Sequence, residues 1–206
     1  FPMSQGIYPL VGWILGPVAG GLANGVGAII GIFIAPHTTT VPVATVLGAL
    51  LGGLVAGSMT AEPKRRWWWL PLFGIVLAAY AMYAGRAIWA NGVDVFSVLA
   101  GSFIDWSALL LFVLPTRLFV PRWIGSNNMK LVPAGLFLGT WITAGMTHLF
   151  ASSIIYYINN WPGFVWMTMA PMAPFEHLIR CLVGALIGTG LIAGLRAIGL
   201  VKAGHA

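Results

Sequence analysis

The chain has 206 residues, of which 59% are hydrophobic and only 7% are charged, and its formal net charge is +6. A water-soluble domain carries about a quarter charged residues, so this chain has too few of them to cover a surface in water. The composition therefore excludes an ordinary soluble domain and predicts an integral membrane protein. The basic excess falls in short breaks between apolar stretches, which argues against a nucleic-acid partner and for a lipid bilayer.

Long apolar stretches predict one all-α domain over residues 1–206, a bundle of about six transmembrane helices. About 20 apolar residues cross a bilayer as a helix, and the stretches lack the apolar–polar alternation of barrel strands. The predicted helices lie near 8–34, 41–60, 68–90, 96–115, 131–152 and 175–199.

The first stretch is glycine-rich and contains Gly16-Pro17, so it is either one kinked helix or two segments. Glycines recur four residues apart along it and again in 48–57 and 184–188. Such spacing lets the backbones of two membrane helices approach closely. Two interpretations stay open, which are tight packing inside the bundle and a face that docks a partner membrane protein.

The positive charges of the breaks predict an orientation. Basic residues in short loops stay on the cytoplasmic side, and here they occupy every second break. Both chain ends are then cytoplasmic, in a multi-pass protein of the cell (plasma or inner) membrane. The basic residues assigned to the cytoplasmic side are Lys64, Arg65, Arg66, Arg117, Arg122, Lys130, Arg196 and Lys202.

Under this topology, the rare polar groups at membrane depth gather toward the outer side. Such groups are costly in a bilayer and are therefore candidates for function. Asp105 is the strongest candidate because a buried acid needs a partner, and Arg86 or Arg180 is the obvious one. We expect a polar pocket that opens outward. Its predicted substrate-binding residues are Arg86, Asp105, His148, Tyr156, Asn160, Trp161, Glu176 and Arg180.

Each of these residues also has a structural explanation. Glu176 and Arg180 have the spacing of an intrahelical ion pair, and Glu176 suits the first turn of the last helix. Arg86 can extend to the outer headgroups, His148 can be an interior hydrogen-bonding group, and a bridge from Asp105 to an arginine can be purely structural.

The uncharged aromatic segment 153–173 is expected to be largely non-helical and to lie over the outer mouth. It is either a lid, with Tyr and Trp stacking on a ligand ring and Asn binding its polar edges, or an interfacial segment in the headgroups. Pro174 is expected in the first turn of the last helix, where its missing N–H is tolerated.

Several chemistries have no motif in this sequence. The one cysteine is Cys181, and there is no CxxC, no paired-His metal spacing and no Gly-Lys-Ser/Thr phosphate loop. We therefore expect no metal site, no cofactor and no ATPase site in this polypeptide. Any energy for transport then comes from a gradient or from a partner chain. No catalytic motif with defined spacing is present, so we expect that the chain is not an enzyme.

Two regions carry a resemblance to a known family. Residues 16–57 combine a Gly-Pro start, a glycine-spaced span, a loop with Pro36 and Pro42, and a second glycine-rich span. Residues 174–200 add a Pro-Phe-Glu-His start, a Gly-Ala-Leu-Ile-Gly run and a basic end. This pattern resembles the substrate-binding S components of energy-coupling factor (ECF) transporters.

The resemblance implies a high-affinity scavenger of a vitamin-like small molecule or a metal, with an outward pocket beneath a loop. It implies a transmembrane coupling protein and ATPase subunits as partners. The family docks through an Ala-x-x-x-Ala surface in its first helix. Ala19 and Ala23, followed by Gly27, match that spacing but fall in the stretch that aligns with the second helix, so a first helix is expected to precede this chain. The Met-x-His motif of the metal-binding branch is absent, which disfavours nickel and cobalt.

Other classes stay open beside the transporter subunit. The main alternative is an accessory or structural subunit of a larger membrane complex with no ligand of its own. An enzyme acting on lipids would use Glu176 with His177, or Asp105 with His148, as acid and base. A channel or carrier is weakly supported, because no inverted pair of broken helices can be read.

Overall fold

The computed structural model describes residues 4–60 and 67–201, and the regular elements in that part of the chain are all helical. The all-α prediction is confirmed. Lys64, Arg65, Arg66 and Lys202, predicted as cytoplasmic charges, lie outside the described residues. The α-helices are α1 (Ser4–Leu15), α2 (Pro17–Ile34), α3 (Pro42–Thr60), α4 (Trp69–Gly85), α5 (Val95–Gly101), α6 (Phe103–Val113), α7 (Thr116–Gly125), α8 (Leu131–Asn159) and α9 (Gly163–Ala197).

Four helices among the described residues are long and apolar enough to cross a membrane. They are α2, α3, α9 and α4, the last together with one π-helical turn at Arg86–Ala90. A fifth crossing exists if α5 and α6, which are bent by 69°, act as one span. These helices are compatible with a multi-pass membrane protein, with four or five apolar spans by length and composition where six were predicted.

Helix α8 is 29 residues long but is not one of these apolar spans. Thr, Ser and His side chains lower its hydropathy. It packs against α3, α4, α6, α7 and α9, so protein covers much of its surface. A membrane helix can carry polar residues where they face the bundle interior. The helix predicted near 131–152 is confirmed, and it continues to Asn159.

The first predicted stretch, 8–34, folds as two helices joined by a one-residue turn. Gly16, between α1 and α2, has φ 80°, a conformation that residues with a side chain rarely adopt. Pro17 then starts α2, where its missing N–H has no helical partner to lose. The two-segment alternative is therefore confirmed, and the single kinked helix is wrong.

Helices α1 and α2 run antiparallel with their backbones in contact. The side-chain amide of Asn24 donates a hydrogen bond across the pair to the carbonyl oxygen of Tyr8 at 3.0 Å. A Cβ on Gly20 would lie 2.6 Å from the Cα of Gly12, closer than real side-chain contacts. These glycines thus pack helices inside the chain, as the first interpretation of the glycine spacing expects.

Helix α1 is enclosed by α2, α3, α8 and α9. On the α3 side, a Cβ on Gly12 would come within 2.7 Å of the Cβ of Ala56. On the α9 side, a Cβ on Gly6 would come within 2.7 Å of the carbonyl oxygen of Arg180. The Ser4 end of α1 borders a cavity that α2, α3 and α8 also line.

The predicted span 96–115 is not one straight helix, because α5 ends at Gly101 and α6 starts at Phe103. A Cβ on Gly101 would lie 2.5 Å from the carbonyl oxygen of Trp166, so α5 packs tightly on α9. Helix α6 instead packs on α8, and the different partners account for the bend. Residues Thr116–Gly125, predicted to belong to a connection, form α7 along α8.

The segment 153–173 is helical apart from 160–162, so the expected long non-helical stretch is wrong. Asn160 ends α8 with a left-handed backbone, φ 44°. Pro171 and Pro174 lie inside α9 and not in a first turn. The helix continues through both prolines and packs on α5 and α8, and neighbouring helices make such prolines tolerable in membranes.

The bundle has two chemically different ends. The connections 35–41, 91–94 and 160–162 lie at one end, which we call the loop end. The other end, which we call the basic end, carries four of the described cations. They are Arg117, Arg122, Lys130 and Arg196.

Candidate functional site

A cavity of about 690 Å³ opens at the loop end, lined by α1, α2, α3, α8 and the α2–α3 connection. We call it the loop-end cavity. Small-molecule sites typically have volumes of about 300–1,000 Å³, so its size suits a small ligand. The polar and aromatic residues that line it are Ser4, Gln5, Tyr8, Thr38, Thr39, Thr40, Thr45, Thr147, His148, Ser152 and Trp161.

The wall of the loop-end cavity is mainly apolar, and its polar part is almost without ionisable groups. Hydroxyl side chains dominate its polar part, and Ala, Gly, Ile and Val make up the remainder. None of the described lining residues is Lys, Arg, Asp or Glu. Hydroxyls both donate and accept hydrogen bonds, so the wall can bind neutral polar groups of either kind.

His148 connects the cavity to a buried acid. Its Nδ1 donates a hydrogen bond to Oδ1 of Asp105 at 2.7 Å, and Asp105 is fully buried. The prediction that Arg86 or Arg180 is the partner of Asp105 is wrong. Helices α6 and α8 pack together, and this contact brings the acid to the imidazole. The pair fixes the orientation of the ring at the cavity wall.

Glu176 and Arg180 form the ion pair that their spacing predicts, with Arg180 Nη2 2.9 Å from Glu176 Oε2. Because α9 begins at Gly163, Glu176 lies in the middle of the helix, so the helix-dipole explanation for this acid is wrong. Neither residue lines the loop-end cavity.

Arg86, Tyr156 and Asn160 come together at the loop end in a separate group, which we call the Arg86 cluster and which also contains Asn91. Arg86 Nε donates to Asn160 Oδ1 at 2.9 Å, and its guanidinium lies 4.5 Å from the ring centroid of Tyr157. Asn91 Nδ2 donates to the hydroxyl of Tyr156 at 2.6 Å and to Asn160 Oδ1 at 3.2 Å. None of the three predicted residues lines the cavity.

Trp161 lies between the Arg86 cluster and the loop-end cavity. Its ring makes edge contacts with Tyr156 and Trp166, at centroid distances of 5.6 Å and 6.2 Å. It also lines the cavity. The aromatic neighbours hold the indole in place, so that a fixed ring borders the open space.

The structure thus divides the predicted binding residues. His148 and Trp161 line the cavity, and Asp105 supports it through His148. Sequence reasoning missed the hydroxyl and amide residues, among them Gln5 and Thr147. A single uncharged polar residue in an apolar helix does not by itself indicate a binding site in a sequence. The three consecutive threonines at 38–40, in an uncharged connection, do give such an indication.

The predicted docking residues Ala19, Ala23 and Gly27 lie on the exposed side of α2, and Gly27 also lines the loop-end cavity. A Cβ on Gly27 would meet no atom within 4 Å. Leu22 and Val26, on the same side, are more than half exposed. This face of α2 is therefore free of contacts with the described remainder of the bundle.

Within residues 4–60 and 67–201, no three His, Cys, Asp or Glu side chains are placed to hold a metal ion. Cys181 is buried in α9 as a free thiol. Comparisons of the chain with models of known protein families, with curated proteins and with solved structures find no match.

Proposed function

We propose that this chain is the membrane-embedded substrate-binding subunit of an uptake transporter, and that the loop-end cavity holds its substrate. The cavity itself carries the proposal. Protein interiors are close-packed, with few voids larger than a water molecule. A helix bundle that only holds an assembly together has no need of about 690 Å³ of open space whose wall carries several hydroxyl groups.

Charge supports an outward-facing cavity. Arg117, Arg122, Lys130 and Arg196 all lie at the basic end, and short basic loops stay in the cytoplasm. The loop end would then face the outside of the cell membrane. A site that opens outward is the arrangement required for capturing a solute before it is moved inward.

The ECF type and a vitamin-like substrate are proposed on the resemblance of 16–57 and 174–200 to S components. On this proposal, a transmembrane coupling protein and ATPase subunits supply the energy. The exposed face of α2 with Ala19 and Ala23 is the proposed docking surface, since small residues allow close helix contact. Gly27 lies where this face meets the loop-end cavity.

A cavity-filling variant tests the function. Gly31 lines the cavity, and a Cβ there would meet no atom within 4 Å, so Gly31→Trp places an indole at the cavity without a backbone clash. Gly190→Trp is the matched control, because Gly190 is an exposed helical glycine of α9 that is equally free of contacts. Each protein is purified in mild detergent from cells grown in rich medium and then denatured. Mass spectrometry identifies the small molecules that are released.

We expect one compound, near one molecule per chain, from the unmodified protein and from Gly190→Trp, and at least tenfold less from Gly31→Trp. A tight ligand of a preformed site survives purification, and an indole in the site competes with it directly. If all three proteins release the same amounts, or if none retains a compound, the proposal is wrong.

An accessory or structural subunit is the second candidate, and the exposed face of α2 favours it. Phe33 on that helix is 83% exposed, and an apolar face of this kind contacts lipid or another membrane protein. This candidate predicts that substitutions on α2 such as Ala23→Leu disrupt a complex, while Gly31→Trp has no effect on any small molecule.

A further inference from the structure

The ionisable groups around the loop-end cavity have partners within the protein. The carboxyl group of Asp105 is hydrogen-bonded to His148 at the wall, and Glu176 is paired with Arg180. Arg86 lies outside the wall and is hydrogen-bonded to Asn160. No lysine, arginine or carboxylate is among the described residues that line the cavity. An ionised ligand would lose water here without gaining an opposite charge, which is strongly unfavourable.

The wall nevertheless has unused hydrogen-bonding capacity. Gln5 Oε1 and Thr147 Oγ1 have no hydrogen-bond partner in the described part of the chain, and both residues line the cavity. Threonine in a helix has two accessible χ1 rotamers, so the Thr147 hydroxyl can turn toward a bound group. Both atoms are covered by protein, so each side chain must turn toward the cavity to contact a ligand. Buried polar atoms are normally paired, and a hydrogen bond to a ligand would supply the missing partner.

The same cavity has an aromatic border. Trp161 is held by Tyr156 and Trp166 and faces the open space. A fixed indole offers a flat apolar surface to a ring. A ring in contact with an aromatic side chain gains more binding free energy than the burial of its surface area alone provides.

From these features, we propose that the loop-end cavity selects an uncharged polar ring compound. The ring lies against Trp161, and its donors and acceptors bind Gln5, Thr147 and His148. This inference rests on the proposed substrate-binding function and names the chemical class of its substrate.

Matched neutral and anionic compounds test the class. The probes are adenosine with AMP, and nicotinamide with nicotinate, each pair sharing a ring system and differing in charge. Binding to the full chain in detergent is measured by equilibrium dialysis of radiolabelled compound up to 1 mM. We expect at least one neutral probe to bind, and to bind at least tenfold more tightly than its anionic partner.

Two variants with controls locate the bound ring. Trp161→Leu is expected to weaken binding of the neutral probe at least tenfold, and Trp161→Phe to restore most of it, because a ring is retained. Trp89→Leu is the control, since Trp89 is 86% exposed at the same end and does not line the cavity. Thr147→Val is expected to weaken binding about three- to tenfold, the range of one hydrogen bond. Thr189→Val leaves binding unchanged, because Thr189 donates to Ala185 within α9.

The results separate this inference from the proposed function. Tighter binding of AMP or nicotinate than of the neutral partners overturns the chemical class and leaves a ligand-binding subunit. If the neutral probe binds Trp161→Leu as tightly as it binds Trp89→Leu, the placement of the ring against Trp161 is overturned. If none of the four probes binds at 1 mM and no compound is co-purified, both the class and the proposed function are overturned.

Discussion

The loop end of this bundle contains two polar regions built from similar residues, and they differ in how their polar groups are used. In the Arg86 cluster, Arg86, Asn91, Tyr156 and Asn160 hydrogen-bond to one another. Among the residues that line the loop-end cavity, Gln5 Oε1 and Thr147 Oγ1 are covered by protein but have no hydrogen-bond partner in the described part of the chain. Polarity at membrane depth is therefore insufficient evidence for a site, and the useful distinction is whether the partners are already inside the protein.

One stripe of α8 contributes to both regions. His148 and Ser152 line the cavity, and Tyr156 and Asn160, at the same four-residue spacing, belong to the Arg86 cluster. Residues four apart share one helix face, so the neighbouring helices decide the difference. Helix α3 leaves space beside the first pair of residues, whereas α4 and the α8–α9 connection provide partners for the second.

The largest expected effect is on the helices that form the cavity wall. A Cβ on Gly53 of α3 would lie 2.5 Å from backbone atoms of Gly20 and Gly21, so Gly53→Val separates α2 from α3. We expect no monodisperse folded protein in size-exclusion chromatography. Gly190→Val, at an open position of α9, should behave like the unmodified protein. A well-folded Gly53→Val protein would show that the cavity wall is not built by this contact.

The next largest effect separates the two regions by stability. Trp166 is fully buried against Tyr83 and Tyr156, so Trp166→Ala should lower the free energy of unfolding by about 3–5 kcal/mol. Ser152→Ala, in the cavity wall, should change it by less than about 0.5 kcal/mol. Denaturant titration in detergent measures both. Comparable losses would mean that the cavity wall is as structural as the aromatic cluster.

Asp105→Ala tests the link between the buried acid and the cavity. The substitution removes the partner that orients His148, and we expect co-purified compound to fall at least tenfold. The free energy of unfolding should fall by about 1–3 kcal/mol, because a polar group loses its partner. Asp94→Ala, which removes an acid outside the cavity wall, is the control for retention. Unchanged retention in Asp105→Ala would remove this acid from the site.

The smallest expected effect concerns Asp94 at the start of α5. The Ser97 hydroxyl and then the backbone N–H groups of Phe96 and Ser97 donate to its carboxylate and lower its pKa. A lowered pKa in the folded state stabilises the fold above the ordinary carboxyl pKa of about 3.9, and this contribution is lost as the pH falls through the lowered value.

Asp94→Ala should therefore lower the thermal unfolding midpoint by roughly a few degrees at pH 6, with little effect on ligand retention. The difference from the unmodified protein should shrink as the pH falls below about 3.9. A difference in unfolding midpoint between Asp94→Ala and the unmodified protein that stays constant down to pH 2 would contradict the capping role of Asp94.

The helices were predictable from sequence because the bilayer requires a minimum apolar length, which is a local property. The turn at Gly16-Pro17 was also visible, since both residues have strong backbone preferences. The break near Ser102 was not visible in the sequence, because it follows from packing of Gly101 against Trp166, which is far away in the chain. The predicted start of helix α9 is too late in the sequence for a related reason. Tertiary contacts allow this helix to continue through prolines that normally mark a helix boundary.

The site was only partly predictable. His148 and Trp161 were identified as rare polar and aromatic groups, and both line the cavity. The pairing of Asp105 with His148 was named only in the enzyme alternative, and an arginine was preferred as the partner, because charge alone favours an arginine and the real choice depends on which helices touch. Gln5 and Thr147 became recognisable only from the fold, which places both residues in the cavity wall and leaves Gln5 Oε1 and Thr147 Oγ1 without a partner in the described part of the chain.

An experimental structure of the chain in a lipid nanodisc, prepared with its co-purified compound, tests the central claim most directly. We expect density for a small molecule in the loop-end cavity, bordered by Gln5, Thr147, His148 and Trp161. Density beside Arg86, or a cavity closed by the protein's own side chains, would contradict it.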